Sequence, residues 1–214
     1  MGTPPPDATD LHLLVVLRSV VLWLAGQDIP YVIIGGVAVS LLAKPRFTQD
    51  VDVAIRFDVD QLERLLPTAA VHGLTPRRPD SLAFARRNRV LLLRHEATAI
   101  GVDVSFISMP FEEDMLASAR STQIEGLELR LPRPEDLIIM KAVAHRPQDM
   151  VDVELLVESH PDVNLTRVLD WVSQFAQVLQ SPDLIDDLQA LLDRLRRNHF
   201  VKQVFGKLDP KKPE

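Results

Sequence analysis

The stretch YVIIGGVAVSLLAKPRFTQDVDVAI, residues 31–55, decides the fold. IPYVII (29–34) is a short apolar, β-branched run, the pattern of a buried strand. Gly35-Gly36 then turns the chain into a small-residue helix, VAVSLLA (37–43), which Pro45 stops. VDVAI (51–55) alternates as a second strand. A strand that runs through glycines into a helix start lets backbone approach a phosphate closely. The first-turn N–H groups lack intrahelical partners and point at it with the positive end of the helix dipole. Ser40, one turn in, adds a hydroxyl. Taken alone, the glycine pair is equally an ordinary tight turn.

Asp50 and Asp52 sharpen the reading. Residues i and i+2 of a strand project from one face, so both carboxylates point one way while Val51 and Val53 point into the core. Parallel carboxylates repel unless a cation lies between them or one takes a proton. A hard divalent ion such as Mg²⁺, or Mn²⁺, answers that need with oxygen ligands. The alternative is a solvent-facing pair salt-bridged to Arg46. Asp103 lies in a further alternating strand, VDVSF (102–106), where an aspartate among apolar residues needs a partner on its own face. If the two strands are neighbours, three carboxylates converge, a geometry able to hold two metal ions for in-line displacement at phosphorus.

Working outward, LHLLVVLRSVVLWL (11–24) reads as a buried first helix N-capped by Thr9 or Asp10. It is too short to span a bilayer, carries Arg18, and follows acidic residues where a signal peptide is basic. No membrane association is expected. VDQLERLLPTAAVHG (59–73) reads as a helix stopped at Gly73. VLLLRH (90–95) and IGVDVSFI (100–107) read as paired strands, and IEGLELRL (124–131) as closing the sheet with Gly126 at a turn. Pro132 and Pro134 open a helix that Pro147 ends, and three more amphipathic helices follow to about Arg197. The expected fold is therefore α+β: a small mixed or antiparallel sheet flanked by helices, then a helical C-terminal part. The core spans 10–131 and the helical region 132–200, with 1–9 and 207–214 as disordered tails.

The 214 residues include no cysteine, which removes disulfides, Cys-ligated zinc and thiol catalysis and suits a reducing cytoplasm. The net charge of −6 means the whole molecule does not attract polyanions. Charge is uneven, however. Arg77, Arg78, Arg86, Arg87, Arg89 and Arg94 share eighteen residues with one acid, Asp80. They form either a solvated strand face or a surface for a phosphate-bearing ligand such as tRNA or another RNA. Aromatic residues are 5% of the chain, leaving few platforms for base stacking. A second basic group runs from Arg194, Arg196 and Arg197 through Lys202, Lys207, Lys211 and Lys212, and reads as a tail. No Gly-x-Ser-x-Gly or Walker-type sequence is present, and His95, His145 and His160 lack metal-ligand spacing.

Gly35-Gly36, a gap of thirteen residues (37–49) and Asp50-x-Asp52 resemble the signature of the polymerase-β-like nucleotidyltransferase superfamily. The fuller string, with Ala38, Arg46 and Thr48, is similar to minimal nucleotidyltransferases of the AbiEii toxin type. A second block, PEDLIIMKAVAHRPQDMVDVELL (134–156), resembles the segment following the sheet in those proteins. The resemblance implies transfer of a nucleoside monophosphate from an NTP to an acceptor hydroxyl. In it, Gly35, Gly36 and Ser40 would contact triphosphate, with Arg46 and Thr48 fixing the nearby loop. Asp50 and Asp52 would bind Mg²⁺, with Asp103 as third carboxylate and base. Lys141 would reach the nucleotide phosphates. Its position after Leu137 and Ile138 puts it on an inward stripe where a lysine needs an anion, unless it snorkels outward.

Asp149 and Asp152 read either as first-turn helix-dipole residues after Pro147 or as catalytic, with Arg146 pairing to them or to phosphate. The resemblance also implies a toxin with a cognate antitoxin, acting on RNA or protein. Two rivals stay open. One is an antibiotic-modifying nucleotidyltransferase, in which Glu112, Glu113 and Asp114 supply an acidic pocket rather than the first turn of a helix. The other is a catalytically inactive relative that binds nucleotide or a partner.

Overall fold

The computed structural model describes residues 8–45 and 48–205, with side chains for 11–45 and 48–198. Arg46, residues 1–7 and 207–214 of the predicted tails and the basic side chains beyond Asn198 lie outside those residues, whereas Ala8 and Thr9, expected in the tail, belong to a helix. The chain divides into two compact units, Met1–Arg133 and Pro134–Glu214.

The first unit is organised by a five-stranded sheet in the order β1-β2-β5-β4-β3. Strand β1 (Tyr31–Ile34) is buried on both faces, as its unbroken apolar run requires. It pairs antiparallel with β2 (Asp50–Ile55). β2 in turn pairs parallel with β5 (Gly101–Phe106), the one parallel contact of this sheet. β4 (Val90–His95) joins β5 antiparallel, and β3 (Leu74–Pro76) forms the edge beside β4. The odd residues of β2 and even residues of β5 face the core: Val51, Val53, Val102 and Val104 are fully buried.

Helices cover the sheet: α1 (Ala8–Ala25), α2 (Gly35–Leu42), α3 (Leu65–Val71), α4 (Ser81–Asn88) and α5 (Pro110–Ser118). Trp23 of α1 is fully buried, and its indole Nε1–H donates to Thr68 Oγ1 of α3 at 2.9 Å. Burial of the ring and satisfaction of its one donor fix the two helices together. No described helix is long and apolar enough to cross a membrane.

Several local expectations need correction. The first helix begins at Ala8, so Thr9 and Asp10 lie within it and neither is its N-cap. The helix expected over 59–73 is a 3₁₀ segment, Val59–Arg64, followed by α3. Asp58 caps the 3₁₀ segment by accepting from the Asp60 N–H, and Gln61 leaves helical geometry, breaking the run. Gly73, at φ +71°, ends α3 and feeds β3, a strand too short to show a period. The arginine-rich segment is not a strand face: α4 occupies its centre, closed by Arg89 in the left-handed region.

Finally, residues 124–131 do not close the five-stranded sheet. β6 (Arg120–Ile124) and β7 (Leu127–Leu131) form a separate hairpin turned at Gly126, φ +72°. β6 is polar and exposed nearly throughout, so it has no apolar face to place in a sheet interior. β7 buries Leu127, Leu129 and Leu131, and its Glu128 carbonyl accepts from the Tyr31 hydroxyl at 3.2 Å.

The second unit is helical, as expected: α6 (Pro134–Ala144), α7 (Pro147–Ser159), α8 (Leu165–Leu179) and α9 (Asp183–Phe205). Pro134 and Pro147 sit at helix starts, where the missing N–H has no intrahelical role. Asn164 caps α8 by accepting from the Arg167 N–H at 3.0 Å. Val168, Val172 and Ala176 form its buried stripe at four-residue spacing.

Leu91 is fully buried and stands opposite Val104, on the sheet face away from the aspartates. Leu91→Ala is expected to lower stability by about 2–5 kcal/mol, measured by urea denaturation.

Candidate active site

The register of two strands builds the site. Asp52 of β2 stands directly opposite Asp103 of β5, while Asp50 stands opposite Gly101. Parallel partners share a face, so Asp50, Asp52 and Asp103 all project from the side opposite the buried valines. Asp50 is exposed and the other two are half-buried. The three carboxylates share one face of the sheet, as the strand alternation predicts.

Two glycines make room for them. Gly35 has φ +64°, a backbone conformation that strains any other residue. A methyl group there would lie 2.7 Å from Asp52 Cβ and would overlap the carboxylate itself. The β1-to-α2 turn thus packs its bare backbone against Asp52. Gly101 serves on the neighbouring strand: a methyl group there would overlap the Asp50 carboxylate and stand 3.0 Å from Arg77 Nη1. Gly101 is therefore required by space rather than by backbone freedom.

A cation already touches this cluster. Arg77 Nη2 donates to Asp103 Oδ1 in a close ion pair. Burial pushes the Asp103 carboxyl above the usual carboxylate range; the Arg77 guanidinium opposes that rise and the Asp50 charge adds to it. Arg77 Nε is a buried donor with no acceptor among the described residues.

The neighbouring polar residues are tied locally. Ser40 Oγ donates to the Gly36 carbonyl at 3.0 Å, and Thr48 Oγ1 donates to the Asp50 carbonyl at 3.3 Å. The Thr48 contact fits a loop-fixing role next to Asp50. Arg46 lies outside the described residues.

The all-oxygen donor set of Asp50 and Asp52, on one face and against open glycine backbone, suits a hard divalent ion. Among the described residues, no three of His, Asp and Glu form a ready-made metal cage. Asp103 gives an oxygen to Arg77 instead.

The second unit holds its own charge cluster. Lys141 is buried, as its inward stripe demands, and its anions are Asp149 Oδ1 at 2.9 Å and Asp152 Oδ2 at 2.8 Å. Arg146 Nε also donates to Asp149 at 2.5 Å, and the Arg146 backbone N–H donates to it at 3.3 Å. Asp149 is thus a first-turn residue of α7 that also counters a buried lysine. Burial pushes its carboxyl up, but the hydrogen bonds and charges of Arg146 and Lys141 prevail and hold it below the ordinary range.

Most of the arginine segment is engaged within the chain. Besides Arg77, Arg78 pairs with Asp80 and stacks over Phe84. Arg86 pairs with Glu63, and Arg89 donates to the Phe106 and Ile107 carbonyls. The acids proposed for a drug pocket are engaged too. Glu112 accepts from the Ser108 and Met109 N–H groups at the start of α5, Glu113 pairs with Arg56, and Asp114 with Arg133.

The family model described as the nucleotidyl transferase AbiEii toxin of type IV toxin–antitoxin systems matches residues 16–212. The chain belongs to the AbiEii family. It is a nucleotidyltransferase. Solved structures share its fold at low identity. The antibiotic-resistance factor ANT(2'')-Ia aligns at 13% identity over 89% of this chain and 98% of its own, with TM-score 0.53. The same factor in complex with adenylyl-2''-tobramycin aligns at 14% over 78% and 99%, TM-score 0.54. An antigenic nucleotidyltransferase-like protein from Paracoccidioides brasiliensis aligns at 18% over 87% and 95%, TM-score 0.51. No curated protein sequence matches the chain.

Within this AbiEii-family site, sequence reading did not single out two residues. Arg77 was one arginine among six, and nothing local distinguishes the one that reaches across β4 to β5. Gly101 carried a readable signal: a glycine heading the β-branched run VDV marks a close approach. The pairing of Lys141 with Asp149 and Asp152 was not readable, because the lysine lies on α6 and the acids on α7, and their meeting depends on how the two helices pack.

Gly35→Ala is expected to cost ~1–2 kcal/mol from the left-handed backbone alone. It should also displace Asp52, so nucleotidyl transfer should fall far more than urea denaturation accounts for.

Lys141→Met leaves two buried carboxylates without their shared cation, at an expected cost of about 3–5 kcal/mol. The sign with pH follows from Asp149. Its folded pKa is depressed, so its stabilisation is present above the unfolded value of about 3.9 and is lost as pH falls below it. The melting temperature of the wild type should drop as pH falls below about 4, and that drop should be shallower in Lys141→Met.

Proposed function

We propose that this nucleotidyltransferase is divalent-metal-dependent and moves a nucleoside monophosphate from an NTP to a hydroxyl on RNA or protein. The observation that carries the reading is the register that sets Asp52 opposite Asp103, with Asp50 on the same face and the bare backbone of Gly35 against them. In this reading Asp50 and Asp52 hold Mg²⁺ or Mn²⁺, which when bound supplies charge neutralisation for the triphosphate and polarisation at phosphorus. The α2 N-terminus at Gly35 and Gly36 offers N–H groups to phosphate oxygens, with Ser40 and Thr48 steadying the turn and loop around them.

Asp103 accepts the proton of the incoming hydroxyl. Its carboxyl, pushed up by burial and by the Asp50 charge, is a stronger proton acceptor than an exposed aspartate. The oxygen so exposed attacks the α-phosphorus, the bond to the β-phosphate oxygen breaks, and pyrophosphate leaves. Lys141, the other residue expected at phosphate, is buried and balanced by Asp149 and Asp152 within the helical unit.

The biological reading follows the family: a toxin whose activity a cognate antitoxin restrains, working in the cytoplasm where NTPs are found. For an RNA acceptor, the exposed arginines of the basic segment are Arg78, Arg86, Arg87 and Arg94, of which Arg78 and Arg86 already pair with Asp80 and Glu63. The likeness to a drug-modifying fold keeps an antibiotic acceptor as the rival. The engagement of Glu112, Glu113 and Asp114 speaks against an acidic drug pocket there.

The test supplies Mg²⁺ and each α-labelled NTP with total RNA, a protein lysate or an aminoglycoside panel. Label should move to RNA or protein, vanish in Asp52→Asn, and fall by about 10²–10⁴-fold in Asp103→Asn. Label only on an aminoglycoside would establish the rival, and transfer undiminished by EDTA would end the metal reading.

A further inference from the structure

The structure assigns Arg77 the position of a resident counter-cation: we propose that its guanidinium clamps Asp103 beside Asp50 and must be displaced from Asp103 for a divalent ion to load. The inference rests on the metal-dependent reading above and deepens it by naming what the ion competes with.

Three observations carry it. First, the ion pair joins Arg77 to Asp103, the carboxylate directly opposite Asp52. A cation there relieves the repulsion that three carboxylates on one face otherwise create. Second, the same guanidinium lies against Gly101, at the point where the Asp50 carboxylate also lies. One arginine therefore stands close to two of the three acids. Third, Arg77 is attached lightly. Its backbone N–H donates to the Leu92 carbonyl at 3.0 Å just past the three-residue strand β3, and its buried Nε has no acceptor among the described residues. An arginine carried just past a three-residue edge strand can swing away without disturbing the central strands.

The consequence is a competition with a definite sign. In the metal-free protein Arg77 stabilises the aspartate cluster, and on metal binding that stabilisation passes to the ion. Removing the guanidinium then weakens the metal-free protein and tightens the ion. An opposite charge at this range biases a carboxylate by about one to three pKa units, so an effect of roughly tenfold or more on ion affinity is expected.

The experiment measures Mn²⁺ binding to the full chain by the EPR signal of free Mn²⁺, with and without α,β-methylene-ATP. Melting temperature is recorded in EDTA and at saturating Mn²⁺. Wild type is compared with Arg77→Gln and with Arg77→Lys, which keeps a charge but shortens the reach. Arg77→Gln should bind Mn²⁺ about tenfold more tightly, melt lower in EDTA and recover the wild-type melting temperature with Mn²⁺. Arg77→Lys should fall between, and it carries the test if the Gln variant does not fold. Unchanged or weaker Mn²⁺ binding, or a melting deficit that Mn²⁺ leaves in place, would overturn the proposal and make Arg77 a fixed part of the site. If the wild type and every variant ignore Mn²⁺, the metal-dependent reading falls and this inference with it.

Discussion

Like charges placed directly opposite each other on neighbouring strands destabilise a sheet, and the parallel contact between β2 and β5 sets Asp52 opposite Asp103 with Asp50 two residues along. Everything around that contact manages the cost. The buried valines on the reverse face hold the strands in a register that a one-residue slip would invert, exchanging aspartates for valines in the core. Gly35 and Gly101 clear the space the carboxylates need, and Arg77 returns part of the missing positive charge. A structure that concentrates negative charge on one half-open face is prepared for a cationic partner, which is the common requirement of nucleotidyl transfer.

The two units handle the same problem in opposite ways. In the helical unit, Asp149 and Asp152 are almost fully buried and closed around Lys141, with Arg146 bonding Asp149 from outside. Breaking that arrangement leaves uncompensated charge away from water. In the sheet unit, Asp50 is exposed and Asp52 and Asp103 are half-buried, so their charges lie closer to water and interact less strongly than those of the helical unit.

Much of this was legible in the residues. The alternation in VDVAI and VDVSF assigned the aspartates to one face because strand periodicity is short and strict. The Gly-Gly turn announced itself by composition. The C-terminal helices were readable from apolar spacing and from prolines at their starts. Other features were not. The helix of residues 81–88 has little apolar periodicity, and its charged residues suggested a solvated strand. The hairpin of residues 120–131 looked like a closing strand because β7 alternates well, whereas the polar β6 that pairs with it gives no apolar signal. Arg77 was hidden for a different reason. Whether an arginine crosses a neighbouring strand to reach an aspartate depends on tertiary register, which no local pattern encodes.

Arg77 follows β3, a three-residue strand bonded on one side only. Edge segments of this kind open and close locally at free energies far below that of global unfolding. The central pair, by contrast, is flanked on both sides and its core valines are sealed. The positive charge beside the aspartates is therefore mounted at a short margin of the sheet, while the aspartates themselves sit on its central strands. Such a mounting allows that charge to detach without loosening the ligands, so that the site exchanges its cation by fraying rather than by unfolding.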